Sequence, residues 1–364
     1  MSGHPRAAQV VLPCPDLDAS LRFFTGELGF RIELVMPADA PKIAVVSGHG
    51  LTLRLESSAA ARTANPLRLR LLCDRAEGAP REMTAPDGTR VEFVAAEPAL
   101  ALPEAKQEFV LVRRGAGEDW ARGRAGMEYR DLIPGRLGGR FVASQIRIAD
   151  GGAVPDYVHF HKIRFQMIYC MKGWARLVYE DQGEPFRLER GDCVLQPPEI
   201  RHRVLESSTG LEVIEIGSPA VHETFADHAM LLPTPAIRPE RRFAGQRFLR
   251  HVAARASWEP WRLAGFEARD SAIADATAGL AGARVVRPVS GRAAEPVSIA
   301  HGGEFLFFFV LQGALGLASR SLGRHRLEAG DCCVIPAGAR HALSAEPGLE
   351  MLEVTLPAEL PRAD

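Results

Sequence analysis

The sequence predicts a mainly β protein, in which a small α+β module is followed by two antiparallel β-barrels of like construction. Three observations carry that reading. A unit of roughly 120 residues occurs twice in the second two thirds of the chain, the mark of a duplicated supersecondary design. Each copy consists of short β-rich runs punctuated by Gly and Pro, the habit of antiparallel sandwiches and barrels. The first 96 residues follow another order, one strand, one helix and then several strands. At 364 residues the chain also exceeds one typical domain.

The first module opens with "AQVVLPC", which runs apolar like a strand. In "DLDASLRFFTGELGF" either Asp16 or Asp18 can cap a helix whose apolar residues Leu21, Phe24 and Leu28 recur at helical spacing, and Gly29 ends it. Strand-like runs follow at "FRIELVM", "KIAVVSG", "LTLRLES" and "LRLRLLC", and then "PDGTRVEFVA", where Asp87-Gly88 is a hairpin-turn signal. "VLPCPDLDASLRFFTGELGF" with the closing "PDGTRVEF" resembles a module of the glyoxalase/bleomycin-resistance (vicinal oxygen chelate) superfamily, over about a quarter of the chain. The resemblance implies a βαβββ-type module with one metal ligand from its first strand and one from its last, at positions matching Gln9 and Glu92. A complete site of that kind needs two modules and the chain shows one. Either a second subunit supplies the other half, as in a homodimer, or the module serves folding and dimerisation alone.

The repeat follows. "MEYRD" at Met127 recurs as "FEARD" at Phe266, and "GDCVLQPPEIRH" at Gly191 recurs as "GDCCVIPAGARH" at Gly330, both shifts of 139; "CMKG" ending at Gly173 matches "VLQG" ending at Gly313, a shift of 140. The implied organisation is the first module over 1–96, a linker over 97–124, a barrel over 125–232, a linker over 233–260 and a second barrel over 261–360. The second linker contains the Pro- and Arg-rich "LLPTPAIRPERRFAGQRF".

Chemistry concentrates in "HFHKIRFQ", residues 159 to 166. Alternating side chains of a strand share a face, so His159 and His161 stand roughly 6.5–7 Å apart on one side, close enough for their imidazoles to converge on one ion. Gln166 follows after a short turn, and His202 arrives on a later strand past Pro197-Pro198. Three imidazoles and an amide oxygen suit a borderline divalent ion, iron, zinc, nickel or manganese, with positions left for water or substrate. The spacing of "HFHKIRFQMIYCMKG" and "GDCVLQPPEIRH" is similar to the two-part motif of the cupins, which implies two cupin-type barrels with the metal in the first. Two departures stand out: Gln166 replaces the usual acidic ligand, and Glu199 the usual glycine of the second motif. A neutral quartet leaves the ion its full charge, which favours polarising a carbonyl or acidifying a bound water. In the second barrel His301 and His341 align with His161 and His202, but Ile299 and Leu306 occupy the other two places and Glu304 is out of register. Two ligands seldom hold a transition metal, so this barrel reads as a degenerate, structural copy.

Around the first site Tyr157 shares the inward face, and Arg164, Gln196 and Glu215 are within reach by strand position. Arg164 would suit a carboxylate substrate and Glu215 a general acid or base. The remaining histidines lack ligand spacing. A net charge of -1 argues against a polyanionic partner, and the arginine-dense stretches from Arg113 to Arg147 and from Arg238 to Arg255 read as solvated connections. The opening residues contain no signal-peptide run, and "FLFFFVLQGALGLA" from Phe305 is a buried strand and turn, too short to span a membrane. Six scattered cysteines read as reduced core residues of a cytoplasmic protein.

Three functions of different class meet these expectations. The first is an iron dioxygenase acting on a small oxygenated molecule. The second is a non-redox isomerase, lyase or hydrolase built on the neutral quartet, and the third a small-molecule binding or sensor protein. None involves nucleic acid or a membrane.

Overall fold

The computed structural model describes residues 5–27, 29–48, 50–58, 68–74, 82–84, 90–115, 120–289 and 297–363. The chain divides into two compact units, residues 1–101 with Tyr157–Lys162 and Val221–Met230, and the remainder.

In the first unit strand β1 (Pro5–Cys14) leads to helix α1 (Leu17–Arg22). Asp16 is the N-cap: its side chain accepts from the Ala19 N–H at 2.8 Å. A π-helical turn, Phe23–Glu27, follows, and Gly29 takes the left-handed conformation (φ +70°) that turns the chain into the next strand. Strands β2 (Arg31–Met36), β3 (Ile43–Gly48), β4 (Leu51–Ser57), β5 (Arg68–Cys73), β6 (Glu82–Thr84) and β7 (Arg90–Ala95) complete it. They are ordered β2-β3-β4-β1-β5-β7-β6, with β1 parallel to β4 and β5 parallel to β7. The Asp87-Gly88 turn lies outside the described residues, but β6 and β7 on either side pair antiparallel. Leu17, Phe30, Val46 and Leu55 form the core, with Leu21 and Phe24 of the helical segment packed on it. Two later strands belong here: His159–Lys162 pairs with Glu223–Ala226, which pairs with β2.

The second unit holds the repeat. In its first half Phe165–Lys172 lies between Cys193–Leu195 and Leu211–Ser218; in its second half Phe305–Gln312 lies between Cys332–Val334 and Glu350–Leu356. Met167 faces Leu195 and Ile216, and Phe307 faces Val334 and Val354, so the two halves share one register. Each also sets three antiparallel strands side by side, Trp174–Tyr179 between Phe186–Glu189 and His202–Ser207, and Ala314–Ser319 between Gly323–Glu328 and Ala342–Ala345. The sheets of the repeat form open sandwiches and do not close into barrels.

One core cluster is common to both halves, and each half has a further one of its own. The Phe141 ring stacks on Phe305 at 4.2 Å, and Phe165, Leu195, Phe307 and Val354 belong to the same buried cluster. The stretches expected as linkers also differ from expectation, for they supply strands. Val110–Val112 joins the second half's sheet beside Cys332–Val334, and Leu249–His251 joins the first half's beside Cys193–Leu195. The hairpin glycines are required: Gly173 has φ +74°, and a Cβ there would stand 2.2 Å from Ser208 Oγ. At the motif-two corner Gly338 has φ +77°, whereas its first-half counterpart Glu199 holds φ +63° with a side chain.

Candidate metal centre

Along His159–Lys162 the residues alternate between buried and half-buried, which sets His159 and His161 on one side with their rings 5.2 Å apart and nearly perpendicular. Each ring is fixed through Nδ1. His159 Nδ1–H donates to the Tyr157 carbonyl at 2.8 Å, His161 Nδ1 pairs with Thr224 Oγ1 at 2.8 Å, and His202 Nδ1–H donates to the Ile200 carbonyl at 2.9 Å. A neutral imidazole whose proton sits on Nδ1 carries its lone pair on Nε2, the tautomer a metal ligand needs. Burial pushes the His202 pKa down to about 4, which keeps that ring neutral at pH 7. Among the described residues, His159, His161 and His202 form the group of potential ligands whose atoms all lie within 4.8 Å of one another, and all three are buried.

Gln166 is 1% exposed. Its Nε2 donates to a carboxylate oxygen of Glu215, which accepts only, and this fixes the amide direction. Its Oε1 is thereby buried with no hydrogen-bond partner among the described residues. An unsatisfied buried acceptor costs roughly 1–3 kcal/mol, a cost that a cation at that oxygen would remove. Three imidazoles anchored through Nδ1 and one orphaned amide oxygen are donors of the kind that suits a divalent ion.

Of the other expected residues, Tyr157 is half-buried just ahead of the strand, its ring 6.0 Å from that of His159 and 5.9 Å from that of His228. Gln196 is buried and donates its backbone N–H to the Gln166 carbonyl at 2.9 Å. Arg164 donates from Nη1 to both carboxylate oxygens of Glu304, at 3.1 and 3.2 Å, and Arg140 binds the same carboxylate. Two residues escaped sequence reasoning. Thr224 is buried against His161, and the His222 ring lies 5.4 Å from that of His161. Both come from a segment without motif spacing, so no signal in the sequence marks them.

In the second half the His301 and His341 rings are 6.4 Å apart. His301 Nδ1 accepts from the Gly303 N–H at 3.1 Å, and its Nε2–H donates to the Ile335 carbonyl at 3.0 Å, so both nitrogens are committed inside the fold. His341 keeps the ligand-like tautomer, Nδ1–H donating to Ala339 at 2.9 Å. Leu306, at the place of Gln166, is fully buried. The donors of this half do not fit a metal.

In the first unit Gln9, Arg70 and Glu92 occupy one row across β1, β5 and β7. Glu92 is ion-paired with Arg70 at 3.4 Å and reaches Arg68 at 4.0 Å. A guanidinium thus already balances the carboxylate that the resemblance marks as a metal ligand.

Comparison with known proteins is consistent with this architecture. Residues 286–355 match the family model of the cupin domain. No curated protein matches the chain. Among solved structures, salicylate 1,2-dioxygenase from Pseudaminobacter salicylatoxidans is similar at 18% identity and a TM-score of 0.51, over 70% of this chain and 86% of that one. The YlbA protein of E. coli is similar at 13% identity and a TM-score of 0.50, over 72% and 96%. A variant of oxalate decarboxylase from B. subtilis is similar at 12% identity and a TM-score of 0.50, over 69% and 81%. These are likenesses of fold. The matched family segment lies in the second half, although the fuller ligand set belongs to the first.

Proposed function

We propose that this cupin-fold chain is a metal-dependent enzyme for a small oxygenated organic molecule, with His159, His161, Gln166 and His202 holding one divalent ion. The carrying observation is the donor set: three buried imidazoles each anchored through Nδ1, two of them by donating to a carbonyl, and a buried amide oxygen with no hydrogen-bond partner among the described residues. A bound ion supplies Lewis acidity, and an iron ion also one-electron chemistry toward dioxygen. The chain's own residues then position it. Glu215 holds the Gln166 amide in one direction, Thr224 steadies His161, and Tyr157 offers a phenol beside His159. Arg164 meets a substrate carboxylate only by exchanging Glu304 for it.

A dioxygenase is the favoured reaction type, supported by the fold shared with salicylate 1,2-dioxygenase. A second reading, a non-redox isomerase, lyase or hydrolase, is supported by the neutral Gln166, since an uncharged ligand leaves the ion more electrophilic. Metal analysis of freshly purified protein by mass spectrometry, beside the His159→Ala/His161→Ala variant, tests both. Equimolar iron lost in the variant, with oxygen uptake on salicylate or related hydroxy-aromatic acids, supports the dioxygenase. Zinc, nickel or manganese at that ratio, with turnover indifferent to oxygen, supports the other. Metal retained in the variant sinks the proposed centre.

The first unit is proposed to pair two chains into a homodimer, and a monomer by light scattering would remove that. A cytoplasmic location is proposed on six buried cysteines, none of them in a disulfide among the described residues.

A further inference from the structure

The second half holds a cavity of about 770 Å³ within the size range of small-molecule sites. We propose that this cavity binds a small hydroxycarboxylic acid with an apolar body, and does so without a metal. The inference stands apart from the proposed metal centre and rests on three features of the lining.

The first is an acceptor without a donor. His341 is 1% exposed and lines the cavity. Its Nδ1–H is committed to the Ala339 carbonyl, so Nε2 can only accept, and that atom is buried with no hydrogen-bond partner among the described residues. Burial also lowers the pKa of this imidazole, so it is neutral near pH 7. A hydroxyl is the matching group. The second histidine of the cavity, His301, is already satisfied by Gly303 and Ile335 and makes no such demand.

The second feature is a pair of cations without anions. Arg262 and Arg284 are bound to Glu353, and Arg284 also to Asp270 and Glu359. Arg340 and Arg362, on the same lining and exposed, have no ion-pair partner among the described residues. The backbone of Arg362 is held against the wall, bridged to His301, while Gly302 N–H donates to the neighbouring Pro361 carbonyl at 2.7 Å. A carboxylate accepted by one of these guanidiniums fits. The third feature is Leu306 and Trp261, both buried, which give the cavity apolar wall where the first half has Gln166.

Titration calorimetry on the full chain tests this with mandelate, phenylacetate, which lacks the hydroxyl, and methyl mandelate, which lacks the charge. Mandelate is expected to bind at least about tenfold more tightly than either, the difference of one good hydrogen bond or charge contact. His341→Leu should reduce mandelate to the level of phenylacetate, and Arg362→Ala, at an exposed position that leaves the fold intact, should reduce it toward the ester. The His159→Ala/His161→Ala variant should bind mandelate as before, so a failure of the metal centre does not touch this result. No saturation by any of the acids at millimolar concentration would leave water as the partner of Nε2 and overturn the proposal. Undiminished binding in both His341→Leu and Arg362→Ala, or loss of binding in the His159→Ala/His161→Ala variant, would do the same.

Discussion

Whether a histidine can serve a metal depends on which ring nitrogen the fold has already claimed. At His159, His161 and His202 the claim falls on Nδ1; at His301 it falls on both. Spacing alone marks the first three and Gln166 as candidates, because ligand intervals on paired strands are a property of sequence. It could not find Thr224, which reaches His161 through a pairing of strands 63 residues apart in the chain. Removing that support has a definite cost: Thr224→Val is expected to weaken metal binding about 10- to 100-fold, the usual effect of losing a group that orients a ligand. Glu215→Leu, which frees the Gln166 amide to turn, should do likewise. Competition with a fluorescent chelator measures both, and unchanged affinity in either would remove that residue from the centre. Glu199 is a different residue-scale case. It is exposed and bears a side chain in a left-handed conformation that its counterpart gives to Gly338. Glu199→Gly is therefore expected to raise stability by about 0.5–1 kcal/mol, the relieved strain less the added freedom of the unfolded chain. Urea unfolding reads the sign, and a loss of stability would show that the corner is not strained.

Elements announced by local chemistry were legible. Asp16 caps its helix, and "FLFFFVLQ" is the buried strand that its apolar run predicted, with Gly313 turning the chain after it. Elements defined only by their partners were not. Val110–Val112 and Leu249–His251 are three residues long, too short for any periodicity, and exist as strands because a strand distant in sequence and equally short offers them an edge. Closure of the sheets is hidden for the same reason: alternation reports that a strand has an inner face, but not whether the last strand meets the first. The central strand Phe305–Gln312 has six fully buried residues in succession. Phe305→Ala, which deletes the ring stacked on Phe141, is expected to cost about 3–5 kcal/mol in urea unfolding, and a cost under about 1 kcal/mol would mean the stack is dispensable.

Over the whole molecule, the repeat that the sequence displays as two units is joined by a shared core cluster containing Phe141, Phe165, Phe305 and Phe307, beside a further cluster in each half. Stability should accordingly be lost in one step through both halves. It should also depend on acid. Burial lowers the pKa of His202, His251, His301 and His341 below the ordinary histidine value. Between that value and the depressed one the unfolded chain binds more protons than the folded chain, so stability rises with pH across the window and is lost as pH falls from 6.5 toward 4. For His202 alone the loss approaches about 3 kcal/mol. Urea midpoints of chelator-treated protein at pH 7 and pH 4.5 measure it, and equal midpoints would contradict the burial of these rings. The six cysteines carry a further consequence. All are buried, and burial pushes the thiols of Cys170, Cys193 and Cys333 up to about 12, far from the ionised form that peroxide attacks. A catalyst that handled dioxygen beside its own thiols would age quickly by self-oxidation; this chain has its thiols stored where such damage is slow.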